Sequence, residues 1–466
     1  MNFFKHTKIL LIFGLFLSVF ACQNLKEDAP LAKSYNADVV LKWNTLYCEI
    51  ERYAPGFRPA PGPRALAYMG LSAYHAILPG TPENNSLASV LPGGLTIPEA
   101  ESGAQYHWPT VVNASYAFMM KKFFNAMASG DHADLYMKID EKKNELNAQY
   151  QKETDQSTFD RSVAYGEKVA NAVYEWSKTD GGHEANLDPQ PVSYVPPTGP
   201  GLWQPTYPNY GRGMFPYYGA TVRPLAMNQT DLICPPPIPY SEAVGSKFRE
   251  QAEYVKAMVD NINANGYGGY EDHWIAEFWS DDNLNQTFGP PSRWIAITNQ
   301  VVEQENPSLD KAVEVYTKIG MSLRDYVIAC WKSKYYYNVE RPVSYIRRLV
   351  DPNWTTVLND ATNGNKPKGI TPPFPAYPSG HSGMGTAAAG PLTEAFGTNY
   401  SMTDRCHEFR IEFNGKPRSF NSFEAMAYEN AVSRVPLGVH YEMDCIAGLE
   451  LGRLAAKRVL ELPWKK

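Results

Sequence analysis

Residues 306–334 read NPSLDKAVEVYTKIGMSLRDYVIACWKSK, and this run decides the fold class. Ala312, Tyr316, Ile319, Leu323, Val327 and Cys330 recur at steps of three and four, the period of one helix face. Asn306-Pro307 reads as a cap followed by proline in the first turn. Arg341 comes two helical turns beyond Lys334, where Pro342 is expected to stop the helix. The next position on the apolar stripe is Lys334. A lysine there must bend out to water or meet an anion, and taken alone the bend to water is the ordinary fate.

The same period predicts helices over 39–53, 64–78, 112–127, 131–152, 158–178, 241–262, 308–334, 379–395, 422–433 and 441–460. Strand-like alternation is scarce, and a proline-rich stretch over 189–239 is expected to wrap the surface. No linker divides the body. The fold class is therefore all-α, one catalytic domain over 37–466 read as two packed helical bundles with long Pro/Gly-rich loops. Its N-terminal helices would occupy 37–230 and its C-terminal bundle, holding the site, 231–466. The chain is 44% hydrophobic and 20% charged, which is globular composition. A net charge of −6 supplies no basic stripe, which argues against nucleic acid as a partner.

The first 22 residues read as a targeting segment. Lys5 and Lys8 precede the apolar run 9–21, too short to span a bilayer, and Val19-Phe20-Ala21-Cys22 resembles a bacterial lipoprotein signal. That resemblance implies export and a lipid on Cys22 as the only membrane attachment, with 23–36 as a polar tether. Lys26-Glu27-Asp28 is similar to an acidic surface-export tag. The expected location is the outer membrane, facing the periplasm or the cell surface. Five cysteines follow, with no metal-binding spacing.

Two further strings join Lys334 and Arg341. Ser379-Gly380-His381 follows PPFPAYP at 372–378, so a helix should start at Ser379 as N-cap, with free amides and close backbone access at Gly380. His381 in that first turn would stand beside an anion; alone, it reads as a solvent-facing histidine. Arg434 precedes His440, and Asp444 lies one turn beyond it, where a carboxylate can accept the Nδ1 proton and leave Nε2 as nucleophile or metal ligand. Together these groups could hold a tetrahedral oxyanion.

Lys334-x6-Arg341-Pro342, Pro378-Ser-Gly-His381 and Ser433-Arg434-x5-His440 together resemble the type-2 acid phosphatase and vanadium haloperoxidase superfamily. Residues 372–381 (PPFPAYPSGH), 64–76 (RALAYMGLSAYHA), 278–293 (FWSDDNLNQTFGPPSR) and 435–444 (VPLGVHYEMD) are similar to its haloperoxidase branch, bacterial forms included. The resemblance implies that Lys334, Arg341, Ser379, Gly380, His381, Arg434 and His440 bind vanadate, with His440 on the metal. Lys334, His381 and His440 would be catalytic, Asp444 and Asp282 supporting, and Trp331 and Phe374 the halide-side wall. It further implies oxidation of iodide, bromide or chloride by hydrogen peroxide to hypohalous acid, through a peroxo-vanadate on His440. The organic acceptor is not specified by these residues. Phosphate could occupy the same site, so the alternative is a soluble acid phosphatase working through a phospho-His440.

Overall fold

A computed structural model of the chain describes residues 30–265, 271–282, 287–358, 369–408 and 415–466. The targeting segment, Cys22 and tether residues 23–29 lie outside the described residues. The first helices are α1 (Asp38–Glu51), α2 (Pro61–Ile77), α3 (Trp108–Phe123), α4 (Ala133–Tyr150) and α5 (Gln156–Ser177). A single turn, α6 (Tyr218–Thr221), interrupts the long connection to α7 (Lys247–Asn265). Then come α8 (Glu271–Phe278), α9 (Pro290–Glu305), α10 (Leu309–Tyr337) and α11 (Pro342–Leu349). The last are α12 (Gly380–Phe396), α13 (Phe423–Val432) and α14 (Glu442–Leu460). Between α12 and α13 a short antiparallel ribbon pairs β1 (Met402–Asp404) with β2 (Arg418–Phe420). The fold is helical, as the periodicity predicted. No described helix is long and apolar enough to cross a membrane.

The 29-residue helix α10 is the axis of the molecule. It packs along α2 on one side and along α12 and α14 on another, while α2, α3 and α5 pack together and α13 closes over α12 and α14. One hydrophobic cluster runs through both groups, from Ala32 to Trp464. A helix surrounded this way is buried all round, so its polar residues must find partners. Arg324 meets Asp180 at 2.9 Å and Asp325 at 3.2 Å, and Lys318 meets Glu314 at 2.7 Å.

The start at 308 holds, but the residues that close the two ends of α10 differ from the expected Asn306 cap and Pro342 stop. Asn306 ends α9 in the left-handed conformation (φ 43°), and Ser308 is the N-cap of α10. Asparagine tolerates that conformation, so it closes one helix rather than opening the next. Past Lys334 the helix ends when Asn338 turns left-handed (φ 50°). Pro342 does not stop it: proline suits the first turn of a helix, and here it opens α11 with Arg341 as N-cap. The loop 189–239 also departs from a surface wrap. Trp203, Phe215, Tyr218, Leu232 and Cys234 are buried in it. The Asp325 carboxylate accepts the backbone N–H groups of Leu225, Ala226 and Met227 at 2.6 to 3.0 Å, which fastens the loop to α10.

Candidate active site

α12 and α14 touch backbone to backbone, and that contact builds the site. A Cβ on Gly383 would lie 2.0 Å from Tyr326 Cε2, and one on Gly452 would lie 2.1 Å from the Gly383 carbonyl. Only glycine permits this approach. It brings the start of α12 against the start of α14, where the Ser379 amide donates to the Asp444 carbonyl at 2.9 Å. Ser379 is the N-cap of α12, as expected from the prolines before it. Its Oγ accepts from the Ser382 hydroxyl at 2.8 Å, which leaves its own proton available. Gly380 and His381, the first two residues of α12, have amides with no acceptor inside the helix.

Lys334 does not bend out to water; it is fully buried. Its Nζ donates to the carbonyls of Pro375 at 2.8 Å and Ala376 at 2.9 Å, which fixes the amine and leaves one proton over. Burial, with the Arg341 charge adding to it, pulls the Lys334 amine down to about 7. Arg341 is buried too. It donates from Nε to the Phe374 carbonyl at 2.8 Å and from Nη1 to the Val439 carbonyl at 2.7 Å. Arg434 donates from Nη2 to Asp282 Oδ2 at 2.5 Å and from Nη1 to the Trp279 carbonyl at 3.2 Å. Burial would raise the Asp282 carboxyl, but Arg434 and His381 reverse this and hold it below its ordinary value.

His440 lies just ahead of α14, with Nδ1 2.9 Å from Asp444 Oδ2 and Nε2 3.1 Å from Arg341 Nη1. A guanidinium can only donate, so Nε2 accepts and Nδ1 carries the proton given to Asp444. His381 is buried rather than solvent-facing, its Nε2 3.7 Å from Asp282 Oδ2. Burial and the Arg434 charge push its imidazole down to about 3. Trp331 and Phe374 pack ring to ring at 5.1 Å, with Lys334 Nζ 5.0 Å from the Phe374 centroid.

These groups gather at a cavity of about 670 Å³, whose wall includes Asp282, Trp331, Phe374, Gly380, His381 and Arg434. Lys334 and Arg341 stand immediately behind that wall, joined to it through Phe374. All the site residues singled out in the sequence are thus brought together. Sequence reading missed the far side of the cavity, where Arg52, Tyr53 and His132 from the N-terminal helices and Met214 from the long loop complete the wall. No local motif marks them, because they belong to segments far away in the chain.

Three buried nitrogens aimed into this region have no hydrogen-bond partner among the described residues: Arg341 Nη2, Arg434 Nε and His381 Nε2. Two orphaned guanidinium donors and an orphaned imidazole nitrogen beside three buried cations suit a bound oxyanion.

Residues 314–463 match the family model described as the VCPO second helical-bundle domain. The vanadium chloroperoxidase of Curvularia inaequalis is 26% identical over 529 aligned residues, which cover 91% of this chain and 82% of that protein. Among solved structures, the first bacterial vanadium-dependent iodoperoxidase superposes with a TM-score of 0.77 at 27% identity, covering 91% of this chain and 96% of the other. A holo-type bacterial vanadium-dependent chloroperoxidase shares the fold at 15% identity, with a TM-score of 0.65 and coverage of 94% and 98%.

Proposed function

We propose that this chain, a member of the vanadium haloperoxidase superfamily, is a vanadium-dependent haloperoxidase that oxidises halide with hydrogen peroxide. The observation that carries the assignment is the set of unpartnered nitrogens, Arg341 Nη2, Arg434 Nε and His381 Nε2, in one buried cationic pocket. A tetrahedral oxyanion satisfies all three and neutralises Lys334, Arg341 and Arg434 together. Those cations, the Ser379 hydroxyl and the Gly380 amide would hold the vanadate oxygens, and His440 Nε2 would bind the metal. Vanadate, when bound, supplies the centre that activates peroxide toward halide.

The chain's own residues do the rest. Asp444 keeps the His440 proton on Nδ1, so that Nε2 offers a lone pair once Arg341 turns its donor to an anion oxygen. Lys334, held by two carbonyls, directs its remaining proton at the reacting oxygen. His381 moves a proton at its Nε2, because forming hypohalous acid and water from halide and peroxide consumes one. Trp331 and Phe374 exclude water beside Lys334. Export and lipid attachment at Cys22 belong to the same proposal, and loss of fatty-acid labelling in Cys22→Ser tests them.

Metal-free protein assayed for peroxide-dependent iodide and bromide oxidation, with and without orthovanadate, beside p-nitrophenyl phosphate hydrolysis, tests the function. Halide oxidation that needs vanadate is expected, and His440→Ala should abolish it. Fast phosphate ester turnover with no vanadate-dependent halide oxidation would make the protein a phosphatase.

A further inference from the structure

One carboxyl at the cavity wall takes no part in gripping the anion. Asp281, on the turn after α8, is 1% exposed, lines the same cavity as His381, and its Oδ1 has no hydrogen-bond partner among the described residues. Charged and titratable groups from several segments face it. Arg293 of α9 has Nη1 3.7 Å from that oxygen, and His407, just past β1, has Nε2 at the same 3.7 Å. Among the described residues, Asp404 of β1, Arg434 beyond α13 and the adjacent Asp282 also act on it.

Each arginine already has its own carboxylate, Arg293 with Asp404 at 2.7 Å and Arg434 with Asp282 at 2.5 Å. Arg293 Nη1 is also in contact with His407 Nε2. With those two pairs made, Asp281 Oδ1 has no donor at hydrogen-bond distance among the described residues. Ionised, it would be a buried carboxylate with one oxygen unpaired, which is costly. Burial, aided by Asp282 and Asp404, accordingly pushes the Asp281 carboxyl up to about 7 against the pull of Arg293 and Arg434.

We propose that Asp281 is the proton reservoir of the site, a relay that acts through His381, with Arg293, Asp404 and His407 holding it in place. This inference rests on the haloperoxidase reading, in which one halide, one peroxide and one proton give hypohalous acid and water. The Asp281 O–H bond breaks, and the proton passes through cavity water along Asp282, whose Oδ2 is 3.7 Å from His381 Nε2. An N–H bond forms on His381, and the Asp281 carboxylate regains a proton from acid entering the cavity. No electron moves in this relay.

Two measurements test it. Infrared difference spectra of the vanadate-free protein between about pH 5 and about pH 9 should show a protonated-carboxyl band that titrates near neutrality. Asp281→Asn should lower that band by the Asp281 share, while the share of Asp444, whose buried carboxyl is also pushed up to about 7, stays. In the vanadate-loaded enzyme, Asp281→Asn should lower kcat for iodide oxidation about tenfold and leave KM for iodide nearly unchanged. Added imidazole should restore kcat in that variant and leave the wild type unaffected, and Asp281→Glu should keep most of the activity. A band of unchanged intensity in Asp281→Asn, an unchanged kcat, or a loss that neither imidazole nor Asp281→Glu relieves would overturn the relay. Should the wild type oxidise no halide while the band is present, the haloperoxidase reading fails and the protonated Asp281 stands.

Discussion

His440 is confined to one tautomer, and the confinement depends on a single neighbour. Asp444 can only accept from Nδ1 when ionised, whereas asparagine there could donate to Nδ1 and move the imidazole proton to Nε2. Asp444→Asn is therefore expected to weaken vanadate binding about 10- to 100-fold, read by equilibrium dialysis of the metal-free protein. Lys334 makes a prediction of a different kind. With its amine pulled down to about 7, it is mostly neutral at about pH 8 in the anion-free site. A bound oxyanion favours the charged form and raises that value, so binding must draw in a proton. Calorimetry in buffers of different ionisation enthalpy should find about one proton fewer taken up by Lys334→Met than by the wild type. Equal uptake would mean that Lys334 does not face the anion.

At the scale of helices, the contact between α12 and α14 decides where Ser379 and Asp444 meet. Gly383→Ala would drive a methyl into Tyr326 and towards the Gly448 carbonyl, 2.5 Å away, and neither backbone nor ring can yield cheaply. A loss of roughly 1–3 kcal/mol is expected, seen as a lower urea midpoint. The sequence made the grip on the anion legible because Lys334, Arg341, Ser379, His381, Arg434 and His440 are unusual residue types at fixed short spacings beside helix starts. It showed the glycines of α12 only as composition, since their reason lies in a partner helix. Helix α11 escaped because eight residues are too few to display a period. The cluster around Asp281 escaped for another reason: Arg293 and Asp404 stand 111 positions apart, and nothing local in either segment predicts the pairing.

Over the whole molecule, the site joins parts that would otherwise repel. Lys334 comes from α10, Arg341 from the cap of α11 and Arg434 from the segment between α13 and α14, and all three are buried. Helix packing holds these cations near one another, and Asp282 and Asp444 offset only part of their charge. An oxyanion bound among them contacts several segments at once and binds only the folded chain. Mass action then stabilises the fold by about 2.7 kcal/mol when the ligand is present at about 100 times its dissociation constant. In a chain of this size each kcal/mol moves the melting temperature by roughly 2–4 °C or less. Orthovanadate in such excess should therefore raise Tm of the metal-free protein by several degrees, and phosphate by less, since it lacks the bond to His440. Chloride at equal ionic strength should do little, because screening reaches buried charges weakly. Arg341→Gln removes one of the three cations and an orphaned donor, so its vanadate-induced shift should shrink markedly. A wild-type Tm indifferent to both oxyanions would mean that these converging cations do not form an oxyanion site at all.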